Sequence, residues 1–187
     1  MLTIKNIRQR YLSVLLALLC SLALLSAQTP APREYQIKAA FLFNFTQFVE
    51  WPATSFSTDK DPFIIGILGD TPFGSYLEEL VSGEKVNGHR IVVQYFRDLE
   101  EIKICHILFI NLSQTTRLEQ VVAGLKGRTI LTVSDMAGFL QAGGILRFFT
   151  KNNKILIQIN PEAGKKANLV ISSKLLRLSE LFVPGKK

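Results

Sequence analysis

The spacing of hydrophobic positions changes several times along the chain, and each change marks an element. Over residues 34–51 Ile37, Phe41, Phe45 and Phe48 recur at helical spacing, with Leu42 and Val49 widening the stripe. This predicts a helix ended by Pro52. Phe43 falls off the stripe, because a turn of about 100° per residue puts it with Ala39, Thr46, Gln47 and Glu50. Residues 54–61 are polar and read as a loop. Residues 63–68 are apolar throughout, as in a strand covered on both faces. A helix is expected over 73–81, capped by Thr71 with Pro72 at its first position. Asn87-Gly88 signals a turn. Further strands are expected over 90–96, 105–110 and 128–133, with a helix over 114–125. Strands separated by helices imply parallel pairing through right-handed crossovers.

After Gly138 the pattern becomes that of a hairpin. Strands over 145–150 and 155–160 flank Lys151-Asn152-Asn153-Lys154, a turn rich in Asn and Lys. A short helix over 161–168, an extended piece over 169–171 and a last helix over 173–181 complete the chain. Leu175, Leu178 and Phe182 share one face of that last helix. The expected fold is α/β: a single three-layer domain over 34–183, with a mostly parallel sheet and a C-terminal antiparallel hairpin extension. Short tails at 28–33 and 184–187 bound it.

Charge adds an address to this picture. Lys5, Arg8 and Arg10 precede an apolar run over 11–25, and no acid occurs before Glu34. That run is shorter than the ~20 residues a bilayer span needs. With Ser26-Ala27 behind it, the segment 1–27 reads as a cleaved export signal, Gln28 being the first mature residue. Leu18-Leu19 before Cys20 do not fit the small residues of a lipobox. Three of the 22 bases leave with the signal, so 19 bases face 15 acids. That weak, scattered excess argues against a nucleic-acid partner. Cys105 is then the single thiol of the mature chain, expected as a small buried hydrophobe or as one half of an intermolecular disulfide.

Catalytic signals are sparse. The chain has two His and two Cys, too few for a multi-ligand metal site. Cys105 and His106 are adjacent in a strand and point to opposite faces. Neither a nucleophile elbow nor a phosphate-binding glycine motif occurs, so no catalytic residue, metal or cofactor is assigned. Ser134-Asp135, at the carboxyl end of a strand, lies where open α/β sheets take ligands, and also suits a turn cap. Gly66, Gly69 and Gly74 frame either an anion seat or a tight strand-to-helix connection. Arg147 is the best polar candidate. A charge inside an apolar strand needs a ligand, a carboxylate such as Glu162, or a route to solvent.

Several segments together resemble the YfiR family: Lys38-Ala39-Ala40-Phe41-Leu42-Phe43-Asn44-Phe45 running to Phe48-Val49-Glu50-Trp51-Pro52; Gly143-Gly144-Ile145-Leu146-Arg147-Phe148; Ile157-Gln158-Ile159-Asn160-Pro161-Glu162-Ala163; and Ile171-Ser172-Ser173-Lys174-Leu175-Leu176. The resemblance implies a periplasmic, non-enzymatic regulatory protein, often a homodimer. Its namesake represses an inner-membrane diguanylate cyclase by binding the periplasmic sensor domain, which lowers cyclic di-GMP and restrains biofilm formation. A sensor kinase is a second kind of membrane partner, and a small-ligand binder or hydrolase acting alone is the alternative reading. The namesake's redox control depends on cysteine pairs, whereas Cys105 has no second thiol in the mature chain. The residues expected at a partner or ligand site are Phe43, Trp51, Arg147, Phe148, Asn160, Glu162, Ser172 and Ser173.

Overall fold

The computed structural model describes residues 32–185. The export segment 1–27 lies outside them, as do all but two residues of the tail at 28–33. The chain opens with helix α1 (Arg33–Phe48) and a two-residue strand β1 (Val49–Glu50). Next come β2 (Phe63–Gly69), α2 (Tyr76–Val81), β3 (Lys85–Val86), β4 (His89–Phe96) and β5 (Ile107–Asn111). α3 (Leu118–Gly124), β6 (Leu131–Ser134) and the hairpin β7 (Leu146–Lys151) and β8 (Lys154–Ile159) follow. The end is α4 (Pro161–Lys166), β9 (Val170–Ile171), α5 (Ser173–Arg177) and β10 (Glu180–Leu181).

One eight-stranded sheet has the order β10-β8-β7-β6-β5-β2-β4-β3. Its inner pairs from β4 to β7 are parallel, and β7–β8 and β3–β4 are antiparallel. The apolar strands serve two cores, as their lack of alternation implies. Phe63, Ile65 and Ile67 of β2 face α1 and α2, whereas Ile64 and Leu68 face α3. This is the expected three-layer α/β arrangement. Asn87 and Gly88 have φ of 50° and 88°, and Asn152 and Asn153 have 51° and 57°, so both hairpins turn through left-handed pairs.

Four expectations are corrected. The first helix stops at Phe48, because Val49 and Glu50 pair with Ile171 and Val170 as a second, two-stranded sheet. The second helix begins at Tyr76 with no side-chain cap, so Thr71 and Pro72 do not start it. Gly74, at φ 55°, breaks helical geometry, while Phe73 is drawn into the core edge-on to Phe109 and Tyr35. The last helix ends at Arg177, because Glu180 and Leu181 add to the open edge of β8, leaving Leu178 72% exposed. The stripe of α1 is also turned: its buried residues are Lys38, Ala39, Leu42, Phe45 and Thr46, whereas Ile37 is 42% exposed. A helix apolar nearly all round carries no unique phase.

Cys105 is buried, and desolvation pushes its thiol up to about 12. Its burial fits the small hydrophobe of the two readings. Gly69, at φ 93°, lets the backbone approach β5 so closely that a Cβ would lie 2.2 Å from the Asn111 carbonyl. The Asp70 N–H donates to that carbonyl. Gly69 therefore serves a tight strand-to-strand approach.

Candidate functional site

Helix α1 carries Lys38 on its buried face, 3% exposed, so its ammonium must find partners inside the protein. Two carboxylates supply them. Lys38 Nζ donates to Asp135 Oδ2 at 2.6 Å and pairs with Glu34 Oε1, one helical turn back, at 2.5 Å. Tyr35 donates its hydroxyl to the same Asp135 oxygen at 3.2 Å, and Lys38 Nζ lies 4.3 Å from the Tyr35 ring centre. Burial alone would depress the ammonium's pKa; the bonds to Asp135 and Glu34 outweigh it and hold Lys38 above its usual value. Burial, then the Asp135 charge, raises the Tyr35 phenol. Lys38 stays charged and Tyr35 protonated near neutral pH, so neither is a base there.

Asp135 directly follows β6, and Arg147 of β7 is the register partner of Ser134. Glu34, Lys38, Asp135 and Arg147 line one cavity of about 370 Å³ at the carboxyl end of β6. Ser134 is elsewhere engaged: its hydroxyl donates to the Ile110 carbonyl at 2.7 Å and accepts from the Met136 N–H at 3.1 Å. Of the Ser134-Asp135 pair, only the second belongs to the site. Arg147 does not meet Glu162, which instead pairs with Lys165 at 3.0 Å. The Arg147 Nε is sealed from solvent and has no hydrogen-bond partner among the described residues.

The other expected residues scatter. Phe148 is fully buried and stacks on Phe45 and Phe41. Phe43 is half-buried and packs on the same core. Trp51 donates its indole N–H to the His106 carbonyl at 3.1 Å and meets Phe63 edge-on. Ser172 caps α5 through the Leu175 N–H, and Ser173 opens that helix. Asn160 caps α4 through the Ala163 N–H. Asn160 and Glu162 line a second, larger cavity of about 650 Å³, walled by α3, α4 and the segment from Phe182 to Gly185. Glu34, Tyr35 and Lys38 were missed as site residues. A lysine between Ile37 and Ala39, inside an apolar helix, carried the same signal as Arg147.

Neither histidine stands near this site. His89, Phe56, His106 and Phe63 form a continuous stack, with ring centres 3.8, 4.5 and 4.6 Å apart. Ile64 donates its N–H to His106 Nδ1 at 3.0 Å, which leaves Nε2 to donate to the Ser55 carbonyl at 3.3 Å. Desolvation lowers His106 to about 4. The unfolded chain takes up this proton near pH 6.5 and the folded one only near 4, so the stabilisation is full above about pH 6.5 and is lost as pH falls toward 4. Melting temperature is therefore expected to fall over that window more steeply in the wild type than in His106→Asn, which does not titrate. Parallel profiles would contradict this. Among the described residues, no group of three or more His, Cys, Asp or Glu gathers to hold a metal ion.

The segments singled out in the sequence meet in space. Phe41 and Phe45 pack on Phe148, β1 pairs with β9, and the Ser172 N–H donates to the Phe48 carbonyl at 2.9 Å. Arg147 pairs in register with Gln158. Gly144 is required where it stands, because a Cβ there would lie 2.3 Å from the Phe139 ring. A family model described as YfiR/HmsC-like matches residues 35–180, from the first turn of α1 into β10. No curated protein matches the chain.

Proposed function

Because the chain belongs to the YfiR/HmsC-like family, we propose that it binds the periplasmic sensor domain of an inner-membrane diguanylate cyclase and restrains it. The family is one of periplasmic regulators of cyclic di-GMP signalling. No helix among the described residues is long and apolar enough to cross a membrane. The observation that carries the reading is the family match over residues 35–180, whose resembling segments α1, β7 and β9–α5 pack against one another. The protein works as a homodimer, the half-buried Phe43 face of α1 meeting a second copy or the membrane partner. It performs no catalysis of its own, and both histidines serve the aromatic stack.

The test joins genetics to capture. Deleting the gene is expected to raise cellular cyclic di-GMP, and the tagged protein is expected to retain a diguanylate cyclase from solubilised inner membranes. Unchanged cyclic di-GMP with no cyclase retained would overturn the reading; retention of a sensor kinase would move the partner to that class. The two cavities favour a second reading, a periplasmic small-ligand binder acting without a cyclase. Ligand binding with unchanged cyclic di-GMP in the deletion strain would select it.

A further inference from the structure

Among the described residues, Arg147 is the one cation lining the smaller cavity without a counter-charge. Its neighbour Lys38 is charge-compensated by Glu34 and Asp135, so the nearby carboxylates already have a partner. The guanidinium makes no hydrogen bond or ion pair within the described residues, and its Nε is cut off from water although the side chain as a whole is partly exposed. A buried donor left unmade is costly, and in folded proteins such donors nearly always have a partner. The chain places this one in the wall of an open space of about 370 Å³ that Phe149 and Thr150 also line.

The chemistry of the wall selects the ligand class. A guanidinium presents a planar fork that matches a carboxylate through two parallel N–H···O bonds. The two acidic side chains already in the wall repel a dianion such as phosphate more than a monoanion. We propose that this cavity is a receptor for a small monocarboxylate, its carboxylate held by Arg147 and its body against Phe149. The Lys38–Asp135–Glu34 cluster fixes the opposite wall, so the site exists before the ligand arrives. This binding site stands apart from the choice of membrane partner.

The experiment uses the exported protein with acetate, benzoate and inorganic phosphate as separate probes, at matched ionic strength. Acetate or benzoate is expected to raise the melting temperature and to shift the Arg147 Nε–H resonance, with phosphate doing neither. Arg147→Gln is expected to weaken carboxylate binding roughly tenfold or more, as for lost charge-assisted hydrogen bonds. The unliganded variant should melt with the wild type, because Arg147 makes no hydrogen bond or ion pair among the described residues. Glu119→Gln, exposed on α3 and outside both cavities, should bind like the wild type. No response to either carboxylate, an equal response to phosphate, or unchanged binding by Arg147→Gln would each overturn the site. So would a clear drop in the melting temperature of unliganded Arg147→Gln, which would make the residue structural. If the carboxylates fail to bind and Arg147→Gln loses a membrane partner that the wild type retains, the site belongs to an acidic side chain of that partner instead.

Discussion

Asp135→Ala is expected to destabilise the protein by about 3 kcal/mol, the low end of the range for breaking a buried ion pair from one side. Lys38 is 3% exposed, so its ammonium depends on partners inside the protein. Without Asp135 its ammonium keeps only Glu34, whose side chain is half-exposed, and so stays charged but poorly compensated. The Tyr35 hydroxyl loses its acceptor as well. The low end applies because Glu34 remains. Lys38→Met together with Asp135→Ala should recover most of the loss, since an apolar replacement of both partners is often neutral. Chemical denaturation of the three proteins checks this, and a double variant no more stable than Asp135→Ala would contradict it. The direction of the Lys38 shift adds an alkaline signature. Its folded pKa lies above 10.5, so its contribution is intact below that value and is lost as pH rises through the folded pKa. Lys38→Met should lack that alkaline loss.

Phe45→Ala should cost more, about 3–5 kcal/mol, whereas Phe43→Ser two positions away should cost roughly 1 kcal/mol. Phe45 is 0% exposed and stacks on Phe41 and Phe148 at ring separations of 6.3 and 6.0 Å. Its removal opens a void between helix and sheet that neither ring can fill without leaving its own contacts. Phe43 is half-buried at the margin of the same core and keeps part of its ring in water. The pair therefore reads the phase of α1 directly. Sedimentation of Phe43→Ser tests the proposed dimer face at the same time: weaker self-association with near-normal stability is the expected result. A loss from Phe43→Ser as large as that from Phe45→Ala, with association intact, would make Phe43 a core residue and remove that face from the interface.

Much of the fold was legible before any coordinates. The apolar runs of β2 and β5 need cover on both faces and receive it from α1 and α2 on one side and α3 on the other. Asn87-Gly88 and Asn152-Asn153 made two hairpin turns readable, because those residues accept left-handed backbone at little cost. The family was readable from ordered short segments, and its model spans residues 35–180. Arg147 was readable as an anomaly, a charge among apolar neighbours. Its actual surroundings were not, because Asp135 comes from another strand's end and Lys38 from a helix about a hundred residues earlier.

Local pattern by itself thus determined most of the longer elements, the parallel pairing of the inner strands and the presence of an unexplained charge at Arg147. Contacts distant in sequence decided the rest. Val49 and Glu50 left the helix because Ile171 and Val170 offered a strand partner. Residues 180 and 181 left theirs because β8 had a free edge. The roll of α1 buries Ala39, Leu42 and Phe45 in the core and brings Lys38 to Asp135, a partner 97 residues away that local pattern could not supply.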